Sequence, residues 1–269
     1  MNGSGETSES APQPRVPTSP ATDADAWDSL SVVERRIGRD RAASLVEVVL
    51  CSGFPTQLLL AGFLGATGLT ATGEAGGLSF VFVVTLTVVD AALVIGLIVY
   101  FLRVHGESVK ELVLGVRAPG TEARLGLVLT PIAVLAAVGG MTLIGWLAPS
   151  LRNVPNNPLE SLLDTPARAA MFAAVAIAAG GFREEFQRAF ILRRFDQHLG
   201  GGWVGLAVFS VAFGLGHQIQ GWDAAVVTGA LGAAWGAIYL IRRSAIAPMV
   251  SHAGFNAAQI LLALSVAAP

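Results

Sequence analysis

The sequence predicts an all-α fold: a polytopic transmembrane helical bundle of about seven spanning helices behind an N-terminal disordered tail. Three observations predict it. Of 269 residues, 53% are hydrophobic and only 13% are charged, whereas a soluble domain carries about 25% charged residues. Several uncharged apolar runs approach or exceed the ~20 residues that a helix needs to cross a bilayer. The 31 glycines suit helices that pack closely in lipid. The bilayer is therefore the first partner, and no nucleic-acid partner is expected. The net charge of −2 adds nothing about further partners. The single Cys51 provides neither a disulfide framework nor a cysteine-based metal site.

Residues 1–29 are rich in Ser, Thr, Pro, Ala and acidic residues. They lack the basic and apolar regions of a signal peptide and read as a disordered cytoplasmic tail. Residues 30–43 (LSVVERRIGRDRAA) carry four arginines and read as an interfacial helix, closing a first region, 1–43. Spans are expected at 44–68, 77–103 and 125–148, in a second region covering 44–164. Further spans are expected at 167–195, 203–220, 223–241 and 245–266, within a third region, 165–269.

Lys and Arg placement sets the orientation. With the N-terminus inside, the inner segments hold twelve basic residues, from Arg35 to Arg243, and the outer side holds only Arg152 and Arg168. This predicts an N-terminus in the cytoplasm and a C-terminus outside. In the inner loop 104–124, Ser108 and Glu111 have the spacing of a capping box before a short surface helix. In the outer loop 149–166, Thr165-Pro166 makes an N-cap and first helical residue for the fourth span. Gly232 and Gly236 are read as helix packing.

Three clusters carry the chemistry. The run MFAAVAIAAGGF (171–182) leads into Arg183, Glu184, Glu185 and Arg188 before apolar sequence resumes. Four such groups within two turns would oppose insertion by about 10 kcal/mol if nothing answered them. Glu184 and Arg188 are four apart and share a helix face, while Glu185 and Arg188 are three apart. The bland alternative is a self-neutralising cluster at the interface. The second cluster is Phe213 and His217, flanked by Gly214 and Gly216; a lone His in an apolar segment is more often structural. The third is His252 and Asn256, an i,i+4 polar pair whose bland role is a helix–helix hydrogen bond worth about 1 kcal/mol.

Counting helical rise from the inner arginines, Glu184 and His252 each lie about 14 Å up, whereas His217 comes out about 21 Å up. A glutamate can take a proton from water and return it to a leaving amine. The two histidines and the asparagine can hold that water or donate to an oxyanion. The set suits hydrolysis of a peptide bond in a membrane-associated protein or peptide. Two His and a Glu could also form a zinc triad. No His-Glu-x-x-His helix is present, however, and the ligands would come from three separate helices. No cofactor is expected, and zinc stays open.

A Glu-Glu…Arg cluster (Glu184, Glu185, Arg188), then Phe213-x-x-x-His217, then His252-x-x-x-Asn256, resembles the CPBP family over about residues 165–266. That family holds type II CAAX prenyl endopeptidases, bacteriocin-processing enzymes and Abi proteins. The resemblance implies an intramembrane endopeptidase whose first-motif glutamate activates water and whose later polar residues bind water and the oxyanion. It also implies that region 165–269 is the catalytic core. The group is often labelled a metalloprotease, although a metal-free glutamate mechanism also fits it.

One departure matters. The usual first motif is Glu-Glu-x-x-x-Arg, but here only Phe186 and Gln187 separate Glu185 from Arg188. If Arg188 anchors the match, Arg183 stands in place of the first glutamate. If the glutamates anchor it, the arginine has moved about 100° round the helix. Either glutamate can then be the base, with Glu184 favoured because it shares a face with Arg188. The alternatives are a non-catalytic membrane scaffold or chaperone that keeps a degenerate protease site, or a proton-coupled transporter using Asp90. Asp90 itself reads more simply as a hydrogen-bonded interhelical residue.

Overall fold

A computed structural model of the chain describes residues 38–73 and 76–267. The tail expected over 1–29 and most of the interfacial helix expected over 30–43 lie outside the described residues. The chain divides into two compact units, Met1–Asp40 and Arg41–Pro269. Only Gly38–Asp40 represent the first among the described residues, and the helical bundle belongs to the second.

The described residues form helices and no strand. The expected first span is two helices, α1 (Gly38–Cys51) and α2 (Phe54–Ala66), bent by 42° at their junction. Gly53 makes the break with a left-handed φ of 84°, and Pro55 sits in the first turn of α2. An L side chain rarely adopts such a φ, which is why glycine stands there. α3 (Phe80–Val104) is capped by the Ser79 hydroxyl, which accepts from the Phe82 amide. It is apolar all round, yet buries only one stripe: Phe82, Asp90, Val94, Ile98 and Leu102. Its remaining apolar side chains, among them Val81, Leu93 and Tyr100, are exposed, as a lipid-facing helix requires.

α4 (Val109–Leu114) starts at the expected cap, where the Glu111 amide donates to Ser108 Oγ. α5 (Pro119–Leu147) follows with Pro131 in its interior. Two short 3₁₀ turns, Pro149–Leu151 and Pro158–Leu163, form the next loop. α6 (Pro166–Ala176) begins at the Thr165 cap with Pro166 in its first turn, as read from the sequence. α6 runs on into a π-helix (Ile177–Glu184) and then α7 (Glu185–His198). The expected span 167–195 is thus continuous, with a wider turn that takes in Arg183 and Glu184 and ends between the two glutamates.

The remaining helices are α8 (Gly202–Gly216), α9 (Trp222–Arg242) and α10 (Ile246–Ala267). α8 stops at Gly216 instead of reaching residue 220, because His217 takes a non-helical φ of −100° and opens a 3₁₀ turn, Gln218–Gln220. At 15 residues it is about 22 Å long, short of the roughly 30 Å hydrocarbon core. α3, α5 and α9 are long and apolar enough to cross a membrane, and α1 with α2 could supply a fourth span.

α7 lies at the centre, with ten of its 14 residues buried. Its Phe186, Phe190, Leu192 and Phe195 pack with Ile98, Leu206, Phe209, Phe213 and Tyr239 in one core. Ion pairs gather four of the basic residues read as inner, Arg193, Arg194, Arg242 and Arg243, at one end of the bundle. Arg194 reaches Glu47 at 2.5 Å and Glu107 at 2.6 Å, and Arg193 reaches Glu107 at 2.7 Å. Arg242 meets the fully buried Glu122 at 2.5 Å, and Arg243 meets Asp196 at 2.7 Å. The start of α5 and the ends of α3, α7 and α9 therefore share one side.

Candidate active site

The site grows from the junction of the π-helix with α7, where three consecutive side chains take three directions. Arg183 points to α3 and pairs with Asp90, itself 3% exposed. Glu184 faces a cavity of about 690 Å³. Glu185, at 2% exposure, points between Arg188 and α10. The wide turn allows this because Gly180 and Gly181 bring it against α10. A Cβ on Gly180 would strike Asn256 Nδ2, and one on Gly181 would lie 2.5 Å from Ala253 Cβ.

Arg188 pairs with Glu185 and not with Glu184, which corrects the shared face read from the i,i+4 spacing. The reason is packing. The Arg188 guanidinium lies over the Phe213 ring, 4.6 Å from its centroid, and 5.7 Å from that of Phe209. On α9, Gly232 and Gly236 leave room for it: a Cβ at Gly232 would come within 3.3 Å of Arg188 Nη2, and one at Gly236 within 3.1 Å of Cδ. The glycine pair read as helix packing therefore accommodates a buried cation. Arg188 is fully buried, and a charge there needs a close counter-charge, which Glu185 supplies.

His252 joins the two glutamates. Its Nδ1 lies 2.8 Å from Glu185 Oε1, and its Nε2 lies 3.9 Å from Glu184 Oε2. The depth count that made Glu184 and His252 level thus corresponds to adjacency. Trp235 stacks on the His252 ring at 4.0 Å and 14°, and its Nε1 donates to Ser251 Oγ at 3.1 Å. His217 caps the end of α8, and its Nδ1 donates to Phe213 O at 2.8 Å. The Phe213 ring lies between the two histidines, 4.7 Å from His217 and 6.3 Å from His252. Asn256 Nδ2 donates to Ala176 O at 3.0 Å. Glu184, His217, His252 and Asn256 all line the one cavity.

Two supporting residues escaped the sequence reading. Trp235 gave no signal, since an aromatic residue in an apolar span is ordinary. Arg183 was counted with the cluster but given no partner, because its partner Asp90 lies 93 residues away. Asp90 accepts hydrogen bonds from Thr56 and from Gln57, the latter at 3.3 Å, so it is an interhelical residue as read.

No three His, Cys, Asp or Glu side chains converge as metal ligands among the described residues. Glu185 is already engaged by Arg188 and His252, so of the two glutamates only Glu184 stays open to the zinc reading.

Residues 165–258 match the family described as type II CAAX prenyl endopeptidase Rce1-like, which supports CPBP family membership. All six candidate residues fall inside that segment. The family named is one of proteases, and the apolar helices α3, α5 and α9 indicate an integral membrane protein. Comparison with curated proteins and with solved structures finds no match.

Proposed function

We propose that this chain is an intramembrane endopeptidase that hydrolyses a peptide bond of a membrane-associated protein or peptide, with Glu184 activating water. One observation carries the assignment: of the two adjacent glutamates only Glu184 lines the cavity, while Glu185 is held by Arg188 and His252.

Each residue then has a role. Glu184 accepts a proton from water, and the hydroxide attacks the scissile carbonyl carbon. The same carboxyl returns the proton to the amine as the C–N bond breaks. His217 gives Nδ1–H to Phe213 O, which leaves Nε2 as an acceptor able to hold the second hydrogen of the water. Asn256 gives one amide hydrogen to Ala176 O and keeps the other for the oxyanion. His252 is held at Nδ1 by Glu185, and its Nε2, on the cavity side, is placed as the second oxyanion donor. Arg188 pairs with Glu185, which in turn fixes the His252 ring.

The membrane reading extends the same way. Twelve basic residues against two support a cytoplasmic N-terminus and seven spans, with α8 completing its crossing through the turn after His217.

The test is cleavage of a membrane-tethered substrate by purified protein in liposomes. Glu184→Ala and His217→Ala should lose turnover. Wild-type cleavage by Glu184→Ala, Glu185→Ala and His217→Ala alike would sink the proposal.

A further inference from the structure

Arg183 is the residue immediately before Glu184, and an unusual amount of the N-terminal half is arranged around it. Its guanidinium is buried, pairs with Asp90 of α3, and donates to Gln187 Oε1 at 3.0 Å. Asp90 is held in turn by Thr56 and Gln57 of α2. Gln187 donates to Cys51 O, the last carbonyl of α1, at 2.6 Å. At the bend between α1 and α2, a Cβ on Gly53 would lie 2.6 Å from Arg183 Nη2. Three helices outside the matched segment thus converge on a single arginine beside the cavity glutamate.

Glu184 has no comparable anchor. The basic side chain it meets among the described residues is His252, with Nε2 at 3.9 Å. A buried guanidinium stays protonated and must find a counter-charge. Glu185 is already taken by Arg188 and His252, so the carboxylate open to a released Arg183 is Glu184.

We propose that Asp90 is a positioning residue for Glu184: it holds Arg183 on the N-terminal helices and so keeps that cation from capturing the cavity glutamate. The proposal rests on the reading of Glu184 as the base. It also assigns the N-terminal helices a task in the site, through contacts that a purely structural pair would not need.

Two measurements on the full chain in detergent and liposomes test it. In the first, Asp90→Asn should lower kcat at least tenfold with KM within threefold of wild type. Adding Arg183→Gln, which removes the released cation, should bring kcat back to within about fivefold of wild type. The second reads melting temperature and needs no activity. Glu184→Gln should shift Tm little in the wild type, but lower it by about 4 °C or more in the Asp90→Asn background, where it breaks a new Arg183–Glu184 pair. Additive melting temperatures overturn the proposal, and so does a kcat that Arg183→Gln fails to restore. A wild-type protein without any cleavage overturns the protease reading alone, and the melting cycle then decides the contact. Should Asp90→Asn not fold, the double variant Thr56→Val/Gln57→Leu, which loosens Asp90 but leaves it charged, enters the same cycle. A smaller coupling of the same sign is expected there, and additivity overturns the proposal.

Discussion

Glu185 Oε1 lies 2.8 Å from His252 Nδ1, and the same oxygen pairs with Arg188. This buried triad divides the work of two adjacent glutamates: Glu185 is committed to holding α7 and α10 together, and Glu184 is left facing the cavity. The two residues should therefore fail differently. Glu184→Gln should lower turnover by about 10²–10⁴-fold with an unchanged melting temperature. Glu185→Gln should leave Arg188 buried without a counter-charge, at a stability loss of about 3–5 kcal/mol. Thermal unfolding in detergent alongside a cleavage assay separates them; a stable, inactive Glu185→Gln beside an active Glu184→Gln would reverse the assignment.

The glycines of the π-helix give a second pair of contrasting variants. A Cβ at Gly180 meets the end of the Asn256 side chain, which can swing away only by giving up its bond to Ala176 O. A Cβ at Gly181 meets backbone, with Ala253 Cα at 2.8 Å and N at 3.0 Å. Gly180→Ala should keep its fold and lose turnover by roughly tenfold or more, the effect of displacing one oxyanion donor. Gly181→Ala should lose stability by about 1–3 kcal/mol, because neither helix can give way. Melting curves and kcat measured on both variants check this, and equal melting temperatures would count against the packing argument.

What the sequence made legible follows from the range of each signal. The caps at Ser108 and Thr165, the all-helical class and the ordered motifs all depend on neighbours within a few residues, and periodicity and composition report those. The break at Gly53 was hidden because an apolar run looks the same whether it is straight or bent by 42°. The partner of Arg188 stayed open because spacings of three and four residues offer both glutamates, whereas the arginine is placed by Phe213 and the α9 glycines. The Arg183–Asp90 pair spans 93 residues and leaves no local trace in one sequence.

Gly232 offers a third test, since it controls a ring that touches both histidines. A Cβ there would lie 2.7 Å from Phe213 Cδ1, and Phe213 packs between His217 and His252. Gly232→Ala should push that ring toward the histidines and cost about 1–3 kcal/mol by overpacking. The companion variant Gly232→Ala/Phe213→Leu should recover most of the lost stability. Melting temperatures of the two variants decide it; no recovery in the companion would show that Phe213 is not the obstacle.

Trp235 supports His252 in two separable ways, through ring stacking at 4.0 Å and through its indole N–H on the neighbouring Ser251. Both hold the turn of α10 that aims His252 Nε2 at the cavity, yet only the stacking touches the imidazole itself. If stacking sets the ring, Trp235→Phe should keep turnover within about threefold of wild type, because an aromatic face remains at the position. Trp235→Leu should lower kcat by roughly tenfold with KM little changed, since a donor that contributes only in the transition state affects turnover and leaves ground-state binding alone. Ser251→Ala removes the hydrogen bond alone and should affect melting temperature more than kcat, by about 1 kcal/mol. A Trp235→Phe variant as impaired as Trp235→Leu would transfer the supporting role from the ring face to the indole N–H, and Ser251→Ala would then have to reproduce the loss.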